Sequence, residues 1–443
     1  MTEIVVKIGT WFLDAYEKGG NMNENKIVDL LVKYKQLTFI KILQQTMVSI
    51  FPFALIGTYC WALANSFLTT NSFFGRLTNI IKWFPAHNFA SAIVSDVSLA
   101  TTGVLALYAA FISAELTMRH YGKNSNIVGV ASVASYILMF IHTIRNTQQY
   151  EMNYYNATWF IFGIIVGYFV GWVFAKFGHD IPEGKDRDLV KTIIVNIKPL
   201  LIVLACALVI HLGFATYRQY QMDRIVAQSV SIVANQHSSY GLSILISLIT
   251  TFTIWLGYAG TLNFSSNIFG NESIANLSYA LSHKTPWNIP YPYTLQSLFN
   301  GFGGIGGVGA TLALVIALIL FSNKKQKRAI AMRSSVPVFF NVNFSLVVGI
   351  PTILNPIYVI PFVLSPIVNM LLGSIAIWIK LFPPLVYPVP DGTPGILAPL
   401  MGTGGNVVAL IYTIFILIVD VLIYVPFVKL DNQVANKYEA SLK

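Results

Sequence analysis

The chain has 443 residues, of which 55% are hydrophobic and only 10% charged. A soluble domain carries about a quarter charged residues, so this chain cannot wet its own surface and reads as an integral membrane protein. Its net charge of +10 comes without aromatic–basic interleaving, which argues against a nucleic-acid partner and for Lys and Arg in loops facing anionic lipid.

The first twenty residues, "MTEIVVKIGTWFLDAYEKGG", are mixed in charge, with no long apolar core and no small-residue cleavage site, so no cleavable leader is expected. Next, "KIVDLLVKYKQLTFIKIL" places Ile27, Leu30, Leu31, Tyr34 and Leu37 at helical spacing with Lys on the other face. That pattern predicts an amphipathic helix, lying on the inner membrane surface or packed on the protein. Apolar stretches follow at 46–68, 98–118, 127–144, 157–176, 198–216 and 241–262. Loops 119–126 and 177–198 are basic, whereas 69–97 and 145–156 carry few Lys or Arg. This alternation places the basic loops and the N-terminus in the cytoplasm.

The second half is less regular. Residues 263–304 are moderately apolar, and 305–322 are apolar and run into "NKKQKR", the most basic stretch. An even number of crossings must separate span 241–262 from that run, so 263–304 hides a crossing or one segment is re-entrant. Residues 336–406 hold many Pro and Gly at membrane depth, and a last span is expected over 407–428. Irregular backbone in lipid leaves peptide groups unpaired, at several kcal/mol each. Such segments survive where protein buries them or where they line a wet cavity. "NVNFSLVVGIPTILNPIYVIPF" (341–362) is therefore read as broken-helix tips facing a substrate path, with Asn341, Asn343 and Asn355 as hydrogen-bond partners; a simple proline kink is the bland alternative.

Other candidates are weaker. Cys60 and Cys206 lie in apolar stretches and form no ligand cluster, so neither a disulfide framework nor a metal site is expected. Gly303, Gly304, Gly306, Gly307 and Gly309 are not followed by Lys-Ser/Thr at phosphate-loop spacing, and read as a tight turn or close helix contact. Asp96, Glu115 and Asp420 sit in or beside apolar spans, where charge is expensive and often functional. The bland reading pairs Glu115 with Arg119 one turn away and puts Asp96 at the outer boundary, which leaves Asp420 as the most isolated acid.

"NGFGGIGGVGATLALVIALILFSNKKQKR", then "FFNVNFSLVVGIPTILNPIYVIPFVLSPIVN", then "LIYVPFVKLDN" together resemble the membrane permease subunit, enzyme IIC, of the bacterial phosphotransferase system. The lactose/cellobiose/chitobiose branch is the most similar, and "KILQQTMVSIFPFALIGT" resembles that branch's entry to its first span. The resemblance implies an all-α integral membrane fold of about ten transmembrane helices, two re-entrant hairpins and the N-terminal amphipathic helix. It divides the chain into a cytoplasmic N-terminal segment (1–41), a scaffold and dimerisation domain (42–220), a linker (221–240), a sugar-binding transport domain (241–430) and a cytoplasmic tail (431–443). The implied job is to carry a β-linked, cellobiose-like disaccharide across a bacterial inner membrane, with both termini cytoplasmic and the chain a homodimer. A separate IIB subunit, recharged by IIA, would carry the phosphoryl donor residue, since no IIA or IIB domain is expected on this chain. No cofactor, metal or nucleic acid is implied.

The site residues depart from the family pattern. The Glu of its Asn-Glu-Pro motif is Phe344 here, followed by Ser345 in place of Pro. The His of its Gly-Ile-His-Gly motif falls on Ala259, beside Tyr258, and the Ser of its Gly-Gly-Ser-Gly-Ala-Thr motif on Val308. Each lost charged hydrogen bond costs about 1.5–3 kcal/mol, so a sugar-binding role would rest on Asn341, Asn343, Asn355 and Tyr258, with Phe344 as a stacking platform and Ala259, Gly307 and Thr393 nearby. Two other readings are a non-phosphorylating paralogue, acting as facilitator or regulatory partner, and a proton-coupled exporter using Asp420.

Overall fold

The computed structural model describes residues 20–123, 127–144, 147–149, 152–178, 189–219, 240–257 and 271–441. Six described helical stretches, one of them interrupted near Gly103, are long and apolar enough to cross a membrane: Thr38–Leu68, His87–His120, Ala157–Phe177, Asn196–Thr216, Pro356–Trp378 and Val407–Ala440. Apolar side chains on their outer faces, among them Leu201, Val209 and Ile411, stay exposed, as a lipid-facing surface requires.

The first described helix, α1 (Gly20–Gln36), settles one alternative. It packs on the protein, with Val28, Leu31 and Val32 buried in the core of the second half, while Ile27 and Leu30 of the expected apolar face are exposed. Helix α2 (Thr38–Leu63) starts earlier than the apolar pattern suggested and ends in a π-turn at Ala64–Leu68. The apolar stretch 98–118 is broken rather than continuous: α3 (His87–Thr101) stops and α4 (Leu105–His120) restarts beyond Gly103. α5 (Ile127–Phe140) is shorter than expected because the chain turns into a small antiparallel hairpin, His142–Ile144 with Thr147–Gln149. The fold is thus helical except for this one ribbon among the described residues.

α6 (Phe160–Phe177) returns and α7 (Leu189–Gln219) crosses again. α4 and α6 approach closely because Gly163, Gly167 and Gly171, one per turn, face the carbonyls of Ala106, Ala110 and Ala114, where any Cβ would collide. Small residues on both faces are the usual device for helix contact in a membrane. These helices share one core, and α2, α4 and α6 pack with Val347 and Val348 of the second half in another.

The second half is built of interrupted elements. α8 (Tyr240–Trp255) runs antiparallel to α13 (Pro356–Trp378): Tyr240 Oη pairs with Ser374 Oγ at one end and Leu354 N donates to Trp255 O at the other. After α9 (Asn271–His283) comes a π-helix, Gln296–Gly303, then a turn over 304–310, and only then α10 (Thr311–Phe321). α11 (Lys325–Phe339) and α12 (Phe344–Gly349) form a hairpin whose two open ends, Lys327 and Ile350, line one cavity. Segment 379–406 folds back on itself, with Val386 N and Tyr387 N donating to Gly402 O. The last helix, α14 (Val407–Ala440), continues past Val428, so residues expected to form a tail are helical and bury Asp431, Asn432 and Val434.

The basic segments share one side of the molecule. Lys35 pairs with Asp431, Lys324 with Glu439 and Lys437 with Asp29. Leu116 of α4 lines the same cavity as Lys35, and Lys123 donates to the carbonyls of Ala175 and Gly178 at the end of α6.

Candidate functional site

Three irregular segments meet at one point in the second half. The first is the turn 304–310, where Gly306, Gly307 and Gly309 adopt positive φ of 83°, 98° and 85°. A side chain is strained there, which explains the run of glycines and makes the turn a structural break rather than a phosphate loop. The second is the hairpin tip 340–343. Asn341 has φ 64°, a left-handed conformation that Asn tolerates better than most residues. Its Oδ1 accepts from Gly306 N at 2.9 Å, and Asn343 Nδ2 donates to Val308 O at 2.9 Å. The third is the bend before α14. A Cβ on Gly395 would fall on Asn341 Oδ1 and close to Gly306 N, so only glycine lets all three backbones meet.

These bonds fix the orientation of both amides. A backbone N–H faces the oxygen of Asn341, and a backbone carbonyl faces the nitrogen of Asn343. Asn341 Nδ2 and Asn343 Oδ1 bond no other described residue. Gly307 sits against Asn343, where a Cβ would touch the amide.

The other sequence candidates are placed as follows. Phe344 opens α12 half-buried, its ring edge-on to Phe160 at 5.2 Å and 85°, so it joins the hairpin to α6. Ser345 beside it is buried, and its hydroxyl has no partner among the described residues. Phe340 packs against Phe67 and Phe74 from the first half, so both ends of the tip are held by aromatic contacts. Asn355 is spent on the backbone: Oδ1 accepts from Ile357 N at 3.2 Å and Nδ2 donates to Pro351 O at 2.8 Å, capping α13. It stands at the far end of the hairpin, away from the tip. Thr393 is buried and donates to Pro390 O, holding its own turn near Gly395. Tyr258 and Ala259 lie outside the described residues.

Among the acids, Glu115 pairs with Arg119 and Asp96 is exposed. Asp420 is buried and accepts from Asn369 Nδ2 at 2.8 Å, and Asn369 also donates to Phe302 O. One turn on, Tyr424 donates to Gly309 O. These groups pin both ends of the glycine turn to α13 and α14, a role that sequence inspection had not assigned to Asn369 or Tyr424.

A model of the phosphotransferase system EIIC family matches residues 44–366, which include the glycine turn, the hairpin and its tip. The chain belongs to the phosphotransferase system EIIC family. It is similar to the cellobiose-specific EIIC component of Lactococcus lactis, 37% identical over 135 residues that span 30% of this chain and 27% of the relative. It is also similar to the lactose-specific EIICB component of Staphylococcus aureus, 36% identical over 131 residues, 29% of this chain and 23% of the relative. The matched region thus spans about a quarter of those curated relatives. The solved transporter ChbC, the IIC component of an N,N'-diacetylchitobiose-specific phosphotransferase system, aligns over 94% of this chain and 99% of its own, with 19% identity and a TM-score of 0.41. As an EIIC protein the chain is a multi-pass membrane protein, as its six long apolar helices require.

Below the hairpin, on the basic side, this EIIC protein has a cavity of about 540 Å³ bordered by Lys35, Lys41, Lys327, Asn355, Tyr358 and Asp431. Asp431 is 2% exposed. It pairs with Lys327 and with Lys35 at 3.3 Å and accepts from Tyr358 Oη at 2.7 Å. Burial pulls the Lys35 ammonium below its ordinary pKa, against the pull of Asp431.

Proposed function

We propose that this EIIC protein is the sugar permease of a phosphotransferase system and carries a cellobiose-like β-disaccharide to a separate IIB subunit. The observation that supports this most is the junction of Gly306, Asn341 and Gly395, the first two of which lie within the region matched by the family model. Transporters place substrate sites where interrupted helices meet near mid-membrane. In this reading the α11–α12 hairpin is re-entrant from the cytoplasm and segment 379–406 from outside, within about ten crossings, and Lys-rich termini face the cytoplasm of a bacterium. Residues 42–220 form the scaffold of a homodimer and 241–430 the transport unit. IIA recharges IIB.

Asn341 Nδ2 donates to one sugar hydroxyl and Asn343 Oδ1 accepts from another, while Phe344, held by Phe160, offers its ring to the sugar's apolar face. Tyr258 is a further candidate hydroxyl in this reading, and Thr393 and Gly307 hold the turns beside the junction. Position 344 supplies no carboxylate to orient the hydroxyl that receives the phosphoryl group, and position 259 no imidazole, so affinity is weaker than in a standard member by roughly 100-fold.

Purified protein titrated with a panel of β-disaccharides tests this reading: saturable binding of at least one is expected, and none across the panel refutes it. Vesicles supplied with phosphorylated IIB should accumulate phosphorylated sugar. Transport without phosphorylation would assign a facilitator instead.

A further inference from the structure

The cavity on the basic side is unevenly charged. Three lysines, Lys35, Lys41 and Lys327, line it with one acid, Asp431. Asp431 is shared by Lys35 and Lys327 and also takes the Tyr358 hydroxyl. Lys41 has no ion pair among the described residues, so two positive charges remain uncompensated in a half-closed space. Burial lowers the Lys35 pKa; the Asp431 carboxylate opposes that, and the neighbouring Lys327 charge adds a smaller lowering. A buried cation calls for a partner, and the one carboxylate present is already divided.

The surroundings suit a small ligand. About 540 Å³ lies within the roughly 300–1,000 Å³ of small-molecule sites. Gln44 and Gln45 stand on α2 one turn from Lys41 and also border the space, adding amide donors. Pro351 and Asn355 place the cavity at the foot of the hairpin whose tip carries the Asn341 junction.

We infer that this cavity binds a phosphomonoester dianion, the phosphoryl end of a phosphorylated sugar, with Lys41 as the principal cation and Lys35 and Lys327 as secondary ones. The sugar attached to that phosphate rests on the permease reading; the anion site does not. Occupation by the phosphate would balance the cavity's charge and draw Lys35 and Lys327 partly away from Asp431.

The test is titration of the full-length protein, in nanodiscs of phosphatidylcholine alone, with glucose 6-phosphate, inorganic phosphate and cellobiose. Wild type should bind glucose 6-phosphate saturably and more weakly as salt rises. Lys41→Gln should weaken that binding about 10-fold and Lys41→Glu further, with cellobiose affinity unchanged. Asp431→Asn should tighten phosphate binding by freeing Lys35 and Lys327, which a merely structural role of the cluster would not do. Absence of phosphate-ester binding by wild type, or equal affinity in Lys41→Gln, overturns the inference. Loss of phosphate binding in nanodiscs containing phosphatidylglycerol, with lipid retention that depends on Lys41, would make a lipid headgroup the occupant and overturn the sugar-phosphate assignment. Phosphate binding without disaccharide binding would leave the anion site standing and refute the permease reading alone.

Discussion

Gly306 N donates to Asn341 Oδ1 at 2.9 Å across 35 positions of sequence. This bond joins the glycine turn to the hairpin tip at the place where Gly395 also arrives. The side chain holds the junction together through Oδ1, and its Nδ2 bonds no other described residue.

Replacing Asn341 separates its hydrogen bond from its left-handed backbone conformation. Asn341→Gly keeps the left-handed backbone and loses the bond, at a cost of about 1–2 kcal/mol. Asn341→Ala loses both, adding about 1 kcal/mol of backbone strain. Melting in detergent should therefore rank wild type above Gly and Gly above Ala, and equal melting of all three would show that the bond is not holding the tip.

Gly395→Ala should be damaging without removing any polar group, because its Cβ would land on Asn341 Oδ1. Disaccharide affinity should fall at least about 10-fold, the effect of one misplaced hydrogen bond. Gly213→Ala is the control, since nothing lies within 4 Å of its Cβ position and alanine favours helix by about 1 kcal/mol. Equal behaviour of the two variants would contradict the convergence of the three segments.

Phe344→Glu combined with Ala259→His should trade stability for affinity. The aromatic contact with Phe160 is lost, at about 0.5–1.5 kcal/mol beyond its buried area. The regained carboxylate and imidazole should tighten disaccharide binding by about 10-fold or more. A lower melting temperature with no gain in affinity would mean that the sugar does not contact position 344.

Asp431→Asn leaves Lys35 and Lys327 without a full negative partner, and breaking a buried pair costs about 3–5 kcal/mol. Adding Lys327→Gln should recover part of that loss, because one uncompensated charge is removed. Additive losses in the double variant, measured by thermal melting, would show that the two groups do not interact.

Much of this arrangement is legible in the sequence. Asn, Gly and Pro inside an apolar stretch announce that 341–356 cannot be one continuous helix, and the structure has α12, a turn and α13 there. Glycines without a following Lys-Ser/Thr announce a turn. What the sequence does not carry is direction. Asn355 and Asn341 look alike in composition, yet Asn355 spends its amide on a cap while Asn341 spends half of its own on another segment. The Asp431 cluster has no sequence signature, because Lys35 lies 396 positions away and Tyr358 lies 73 away, and no local pattern links them. Helix α14 outruns its apolar stretch for the same reason: beyond Val428 its residues are polar, and contacts with α1 keep them ordered. The short ribbon at 142–149 escaped notice because "HTIRNTQQ" has no alternating apolar face.

Sugar transport by this protein requires the junction at Asn341 to receive a carbohydrate. Calorimetric titration of cellobiose into purified wild type and Asn341→Ala tests it most directly. Saturable binding to wild type that weakens at least about 10-fold in the variant is the predicted result. The same affinity in both proteins, or no binding of any β-disaccharide to the wild type, would contradict it.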